Sequence, residues 1–197
     1  MADLFSIGMN ALRYGFSVAT HSILRWLALT FVLAVPILDF VGFGIVLKVL
    51  RGEEPTFENG GKCFVQGLLA FLIILIYSLI PVGMQLLTRS LGIAGIIISL
   101  VIFILFLFIL IPGLVNYARK QTFISAFMFP EMIARVRAMT WERFVLALLF
   151  FIIVDLLIFL ILYFLLTQIP FIGWIVTIVV VVPLNLFQAK FWSDVFL

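Results

Sequence analysis

Apolar residues in this chain are gathered into long runs separated by short polar stretches. A helix needs about 20 apolar residues to cross the roughly 30 Å hydrocarbon core of a bilayer. Five runs meet this need, and we predict a membrane-spanning helix in each: residues 26–47, 64–87, 91–115, 144–166 and 169–187. Helices are favoured over a barrel because none of the runs alternates polar with apolar residues.

Prolines interrupt most of these predicted helices. A proline removes one backbone donor and frees a carbonyl one turn earlier, which favours a kink. Four of the five runs contain one, at Pro36, Pro81, Pro112 and Pro183. The first run also contains Gly42 and Gly44, which permit close backbone approach or an irregular turn. We therefore expect several of the spans to be kinked.

The N-terminal segment, residues 1–20, has a mixed rather than an apolar pattern. Apolar residues recur in it at helical spacing, with polar residues between them. This pattern is typical of an amphipathic helix in the membrane interface, or of a short cap packed on the other helices.

The segment 121–140 has the pattern of a basic amphipathic helix. We predict that it lies on the cytoplasmic membrane surface with Phe127 and Ile133 facing inward, and that Glu131 supports Arg135 four residues later. Anionic lipids attract basic side chains at such a surface by about 1 kcal/mol each. The candidate headgroup-binding residues are Arg119, Lys120, Arg135 and Arg137.

The composition agrees with a membrane environment. Hydrophobic residues make up 66% of the 197 residues and charged residues 11%, against roughly 45–50% and 25% in soluble domains. We therefore predict an all-α integral membrane protein, with residues 1–197 forming a single polytopic domain. It would have about five transmembrane helices, several of them proline-kinked, together with N-terminal and cytoplasmic amphipathic helices. The lipid bilayer is then its first partner.

The distribution of basic residues predicts the orientation. Alternating spans place nine of them on one side: Lys48, Arg51, Lys62, Arg119, Lys120, Arg135, Arg137, Arg143 and Lys190. The other side receives Arg13, Arg25 and Arg89. Because cytoplasmic loops carry an excess of Lys and Arg, we expect the C-terminus in the cytoplasm and the N-terminus outside. The mild balance of 12 basic to 9 acidic residues excludes a nucleic-acid binder built on a basic stripe.

Motifs for catalysis or for a cofactor are missing from the sequence. It contains one cysteine, Cys63, and one histidine, His21, so neither an intrachain disulfide nor a histidine-based metal cluster can form. No nucleophile elbow, zinc-protease or Cys-x-x-Cys motif occurs. We therefore expect no enzyme activity, no cofactor and no metal.

Two acids inside apolar runs are the candidate functional residues. Asp155 is the midpoint of 144–166, where a charge costs about 2.5–3.5 kcal/mol. We expect it to face the bundle interior and to make a polar contact, with residues 36–44 as the expected partner region. Asp39 is the second acid at depth. Both are candidates for a proton or cation site. The structural alternative is a neutral acid bonded to a freed carbonyl, or to a polar side chain such as Tyr77, Ser78, Gln85 or Tyr163.

Two functions follow as hypotheses. The first is a non-enzymatic homo-oligomer or a subunit of a larger membrane assembly. The second is a small transporter or channel that uses the intramembrane acids. A polar cavity that reaches Asp155 would favour transport, whereas a dry bundle would favour a structural role.

Two loop regions resemble a known family. They are the stretch GIVLKVLRGEEPTFEN at residues 44–59, continuing through 64–81, and the pair QTFISAF at 121–127 and EMIARVR at 131–137. These patterns resemble a domain-of-unknown-function family of small polytopic membrane proteins, mostly archaeal with bacterial members. The resemblance implies a multi-pass topology in a prokaryotic plasma membrane, and it assigns no activity or catalytic residue.

Overall fold

The computed structural model describes residues 3–21, 23–35 and 37–196, and every regular element in these ranges is helical. The eight α-helices are α1 (Leu4–His21), α2 (Ile23–Ala34), α3 (Asp39–Leu50), α4 (Gly60–Thr88), α5 (Ile93–Lys120), α6 (Phe129–Met139), α7 (Trp141–Gln168) and α8 (Pro170–Val195). Short 3-10 turns at Arg89–Leu91 and Phe123–Phe127 precede α5 and α6.

Within the described ranges, four helices are long and apolar enough to cross a membrane: α4, α5, α7 and α8. They contain the predicted spans 64–87, 91–115, 144–166 and 169–187 almost entirely. Each runs for at least 25 residues, or more than about 37 Å at 1.5 Å per residue. The prediction of an all-α membrane protein is therefore confirmed. Pro81, Pro112 and Pro183 lie inside three of these helices, which continue through them.

The predicted first span, 26–47, is wrong as a single crossing helix. It is divided between α2 and α3, which have 12 residues each and so reach only about 18 Å. The Leu33 side chain packs on Gly42, where an added Cβ would lie 3.0 Å from the Leu33 Cγ. Residues nine apart in a straight helix would be about 13.5 Å apart along the axis, so the chain bends back between α2 and α3.

The break follows from local sequence. Val35 precedes a proline, and a proline disfavours helical conformation in the residue before it. Val35 is accordingly a bend rather than part of α2. Pro36 itself lies outside the described residues, so the kink predicted at this proline stays a prediction.

The four spans form two antiparallel hairpins, α4–α5 and α7–α8. In the first hairpin, Thr88 and Ser99 hydroxyls meet at 3.0 Å near the turn, while the Tyr117 hydroxyl donates to the Gln66 carbonyl at the other end. Helix α3 packs against α4 in one hairpin and against α8 in the other. It therefore joins the two hairpins.

Glycines allow α3 and α4 to meet backbone to backbone. A Cβ on Gly44 would overlap the backbone of Cys63, and a Cβ on Gly67 would overlap the carbonyl of Phe40. The absence of side chains at these two positions lets the helices approach more closely than larger residues permit.

Helix α1 packs against α8 and α7. Gly15 lies against the backbone of Pro183, and Gly8 lies against the Phe150 ring. The Lys190 ammonium is 5.7 Å from the centroid of the Tyr14 ring. The predicted N-terminal helix is thus present and behaves as a cap on the other helices, while a position in the membrane interface stays a prediction.

One end of the molecule, called the basic end below, gathers the C-termini of α3, α5 and α8 with the N-termini of α4 and α7. Arg51 after α3 donates to Gln66 of α4, and Gln66 donates to Gln121 after α5. Arg119 of α5 donates to the Phe196 carbonyl after α8 at 3.1 Å. The opposite end carries the α4–α5 turn with Arg89.

We predict that Gly67→Ala destabilises the protein and that Gly83→Ala does not. At residue 67 the new methyl group meets the backbone of α3, so the helices must separate at a cost of about 1–3 kcal/mol. Gly83 is on the same helix with no neighbour within 4 Å of an added Cβ. Alanine should stabilise it by up to about 1 kcal/mol.

Thermal unfolding in detergent, followed by intrinsic fluorescence, compares the two variants. Equal midpoints for Gly67→Ala and the wild type would contradict the close α3–α4 contact.

Candidate intramembrane site and basic-end network

Asp155 lies at the middle of α7 and is half-buried. Its Oδ1 accepts a hydrogen bond of 2.8 Å from the Nε2 of Gln188 on α8. The predicted polar contact is therefore confirmed, but the predicted partner region, residues 36–44, is wrong. Gln188 was missed because the predicted fifth span ended at residue 187, which left this amide outside the apolar segment. Helix α8 in fact continues to Val195.

Asp155 opens into a cavity of about 310 Å³. Side chains of α3, α4, α5, α7 and α8 line it, and most of them are apolar, such as Leu47, Ile111 and Trp192. Asn185 and Gln188 of α8 add two amide side chains to its wall. The polar groups are thus gathered on the α7–α8 side of an otherwise apolar space.

A second cavity, of about 370 Å³, lies between α5 and α7. Asp155 is its single polar lining residue, and the others include Leu100, Phe103 and Phe159. The two cavities have Leu107, Phe151 and Asp155 in common as lining residues. Asp155 therefore lies where the two cavities adjoin.

Asp39 is placed apart from Asp155. It begins α3, and its backbone N–H donates to the Val35 carbonyl at 2.8 Å. It lines neither of the two cavities, and its carboxylate accepts no side-chain hydrogen bond within the part of the chain that the structure describes. The two candidate acids are therefore not brought together into one site.

At the basic end, the buried Asn116 of α5 holds the 121–140 segment. Its Oδ1 accepts from the Arg135 Nε at 3.0 Å. Its Nδ2 donates to the Ser125 carbonyl at 2.6 Å and to the Glu131 Oε2 at 3.0 Å. The other Glu131 oxygen pairs with Lys120 at 2.5 Å. Asn116 thus takes the place of the direct Glu131–Arg135 pair that the sequence predicted.

The predicted helix at 121–140 is observed as the 3-10 turn followed by α6. Phe127 stacks on Tyr77 of α4, with ring centroids 5.2 Å apart. The prediction that Ile133 faces inward is wrong, because Ile133 is exposed whereas Met132 and Val136 are buried. The face of α6 that contacts the bundle therefore contains Met132 and Val136, which are one turn apart, and not Ile133.

The four candidate headgroup-binding residues have different surroundings. Arg119 and Arg135 are half-buried and are held by Phe196 and Asn116, and Lys120 is paired with Glu131. Arg137 is exposed and has no hydrogen bond or ion pair to any described residue. The structure therefore leaves Arg137 most accessible to a headgroup, and lipid binding by all four stays a prediction.

Sequence reasoning used Lys48 and Arg51 only as topological charges. In the structure, the Lys48 ammonium donates to the Thr56 carbonyl, the Thr56 hydroxyl and the Glu58 carbonyl, at 2.8–3.2 Å. Arg51 forms a two-bond pair with Glu53. These bonds fold the loop between α3 and α4 around a polar pocket of about 330 Å³.

We predict that the attachment of α6 weakens at low pH. Hydrogen bonds from Lys120 and then from Asn116 lower the pKa of Glu131. Because the pKa of Glu131 is lower in the folded protein, these bonds stabilise the attachment of α6 at pH values above the usual glutamate pKa, about 4.3. The stabilisation is lost as the pH falls from that value through the folded-state pKa. Hydrogen exchange over residues 121–140, corrected for intrinsic rates, should therefore rise in that range.

Glu131→Gln should remove most of this pH dependence. Glu142→Gln is the matched control, because Glu142 is exposed at the start of α7 and should leave the pH dependence as in the wild type. Identical profiles for Glu131→Gln and the wild type would contradict the role of Glu131.

Comparison with known proteins gives one match. The family model described as "Protein of unknown function (DUF4013)" matches residues 27–171, which extend from α2 through the start of α8 and include Asp155. No curated protein and no solved structure matches the chain. Because the matched region covers well over half of the 197 residues, the chain belongs to the DUF4013 family.

Proposed function

We propose that this membrane protein is a small, non-enzymatic transporter or channel whose proton or cation site is Asp155. The observation that supports this proposal is the position of Asp155 where two cavities adjoin. Their walls are mostly apolar rather than polar, so the proposal rests on the access that they give to Asp155. It is also the one Asp, Glu, Lys or Arg in the residues 63–88, 93–118 and 144–189, which form the central parts of the four spans.

The surroundings of Asp155 suit a group that gains and loses a proton or a cation. Its Oδ1 is held by Gln188, whose amide N–H can donate to an ionised or a protonated carboxyl group. Its Oδ2 accepts no hydrogen bond from the described residues and is left for a proton or a cation. Because a lone charge at this depth is costly, the carboxylate gains from either partner.

Proton or cation flux into proteoliposomes tests this function. Wild-type protein should carry flux driven by an imposed membrane potential, and Asp155→Asn should reduce it to the rate of empty liposomes. Asparagine keeps the acceptor oxygen for Gln188 and loses the exchangeable charge, so the fold should persist.

Ser78→Ala is the matched control, because the Ser78 hydroxyl bonds only to its own helix at Leu75 and lines neither cavity. It should retain full flux. Wild-type flux equal to that of Asp155→Asn would contradict the proposal.

We also propose that the protein lies in a prokaryotic plasma membrane with the basic end in the cytoplasm. The basic end gathers the predicted cytoplasmic charges, while the α4–α5 turn at the opposite end carries Arg89 alone. Arg13 and Arg25 are not counted with Arg89, because the alternation that placed them there required 26–47 to cross as one helix. Positive charge on one side supports this orientation. A reporter fused after residue 197 should therefore behave as cytoplasmic, and an extracytoplasmic signal would contradict the orientation.

The second candidate function is structural: a homo-oligomer or a subunit of a membrane assembly. It is favoured by the small share of α5 and α7 that is packed within one chain. Only 11% of the most apolar stretch of each helix is buried, so both leave long faces to lipid or to a partner helix. The mass of the protein in lipid nanodiscs distinguishes a monomer from an oligomer.

A further inference from the structure

The oxygens left unpaired at the intramembrane site are free to accept hydrogen bonds. Asn185 donates its Nδ2 to the Val181 carbonyl at 2.8 Å, and Gln188 donates its Nε2 to Asp155. The oxygens that remain without a donor among the described residues are the Asp155 Oδ2, the Asn185 Oδ1 and the Gln188 Oε1. A ligand that hydrogen-bonds to these oxygens must therefore supply N–H or O–H groups.

The rest of the two cavities is apolar. Their volumes, about 310 and 370 Å³, lie in the range of small-molecule sites. The α5 wall of the second cavity extends from Leu107 to Leu100, or about 10 Å along the helix. This space suits a hydrocarbon chain that begins beside Asp155.

The second cavity opens on the outside of the helix bundle between α5 and α7. Leu100, Phe103 and Phe159 line it and are about half exposed or more. In a bilayer these side chains face the acyl chains. A ligand dissolved in the membrane can therefore reach Asp155 sideways, without crossing the polar network at the basic end.

We propose that the joined cavities bind an amphiphile with a primary ammonium head and an apolar tail. This inference rests on the proposed function of Asp155 and names the class of cation. A primary ammonium supplies up to three N–H donors to this wall, and its positive charge compensates the Asp155 carboxylate. A fatty carboxylate offers no donor and repeats the charge of Asp155, so the site disfavours it.

Quenching of Trp192 by brominated alkyl chains tests this binding. Trp192 is buried and lines the first cavity. The other three tryptophans are replaced by phenylalanine: Trp141 and Trp174 are exposed, and the Trp26 Nε1 donates to none of the described residues. The probes are 11-bromoundecylamine, 11-bromoundecanoate and 1-bromododecane, added to the protein in phosphatidylcholine nanodiscs.

The amine should quench Trp192 saturably, and the carboxylate and the bromoalkane should quench only in proportion to their uptake into lipid. Asp155→Asn should weaken the amine's apparent affinity by about tenfold, the scale of one charge-assisted hydrogen bond. Leu107→Phe should also weaken it by filling the junction of the cavities. Leu105→Phe is the matched control, because Leu105 is exposed and lines neither cavity.

A lipid headgroup is the other source of a primary ammonium, and a second arm distinguishes it. Nanodiscs of chain-brominated phosphatidylethanolamine are compared with nanodiscs of the same chains on phosphatidylcholine, which has no N–H donor. Stronger quenching in phosphatidylethanolamine assigns the site to a lipid, and equal quenching with saturable binding of the free amine assigns it to a free amphiphile.

Non-saturable quenching by the amine, with no preference for phosphatidylethanolamine, would overturn the ammonium site. Amine quenching unchanged by both Asp155→Asn and Leu107→Phe would overturn it as well. Either of these two quenching results could occur while proton or cation flux still depends on Asp155. In that case the ammonium site would be refuted and the proposed transport function would stand. Saturable amine binding without any flux would instead support the site and refute transport.

Discussion

The backbone contact between α3 and α4 is the constraint on which the rest of the structure depends. Gly44 and Gly67 let the two helices meet without intervening side chains, and α3 then reaches α8 on its other side. Because α3 joins the two hairpins, it fixes their separation. The cavity beside Asp155 is lined by α3 as well as by all four spans, so its shape follows from this contact.

Hydrogen bonding divides the molecule into two regions with different consequences. At the basic end, Asn116 uses its side-chain oxygen and nitrogen on Arg135, Ser125 and Glu131, which attaches the 121–140 segment to α5. In the membrane region, Asp155 and Gln188 satisfy each other only in part. Unused acceptors in an apolar setting are costly, and a ligand that donates to them offsets this cost. The second region is therefore where we place the function.

The sequence predicted what depends on length and on apolar content. Four spans and the exceptional position of Asp155 follow from such counts. Counting apolar residues failed at 26–47, because two short apolar helices that bend back on each other have the same composition as one long helix. It also missed Gln188, because an amide near the end of an apolar run is equally typical of the end of a membrane span and of a buried hydrogen-bond partner. The contacts of Asn116 join residues 9–19 positions apart across a turn, and no local pattern predicts them.

Solid-state NMR of the protein in bilayers tests the central claim, that Asp155 is bonded to Gln188 and also faces an open cavity. The Asp155 carboxyl carbon is assigned from its absence in the spectrum of Asp155→Asn. It should show a dipolar coupling to the side-chain nitrogen of a glutamine, as the 2.8 Å contact requires. It should also receive magnetisation rapidly from lipid-chain or water protons. This transfer should be faster than the transfer to the side-chain carbons of Leu148, which is buried on the same helix. A carboxyl carbon with no glutamine coupling, or one as isolated from lipid and water as Leu148, would contradict the claim.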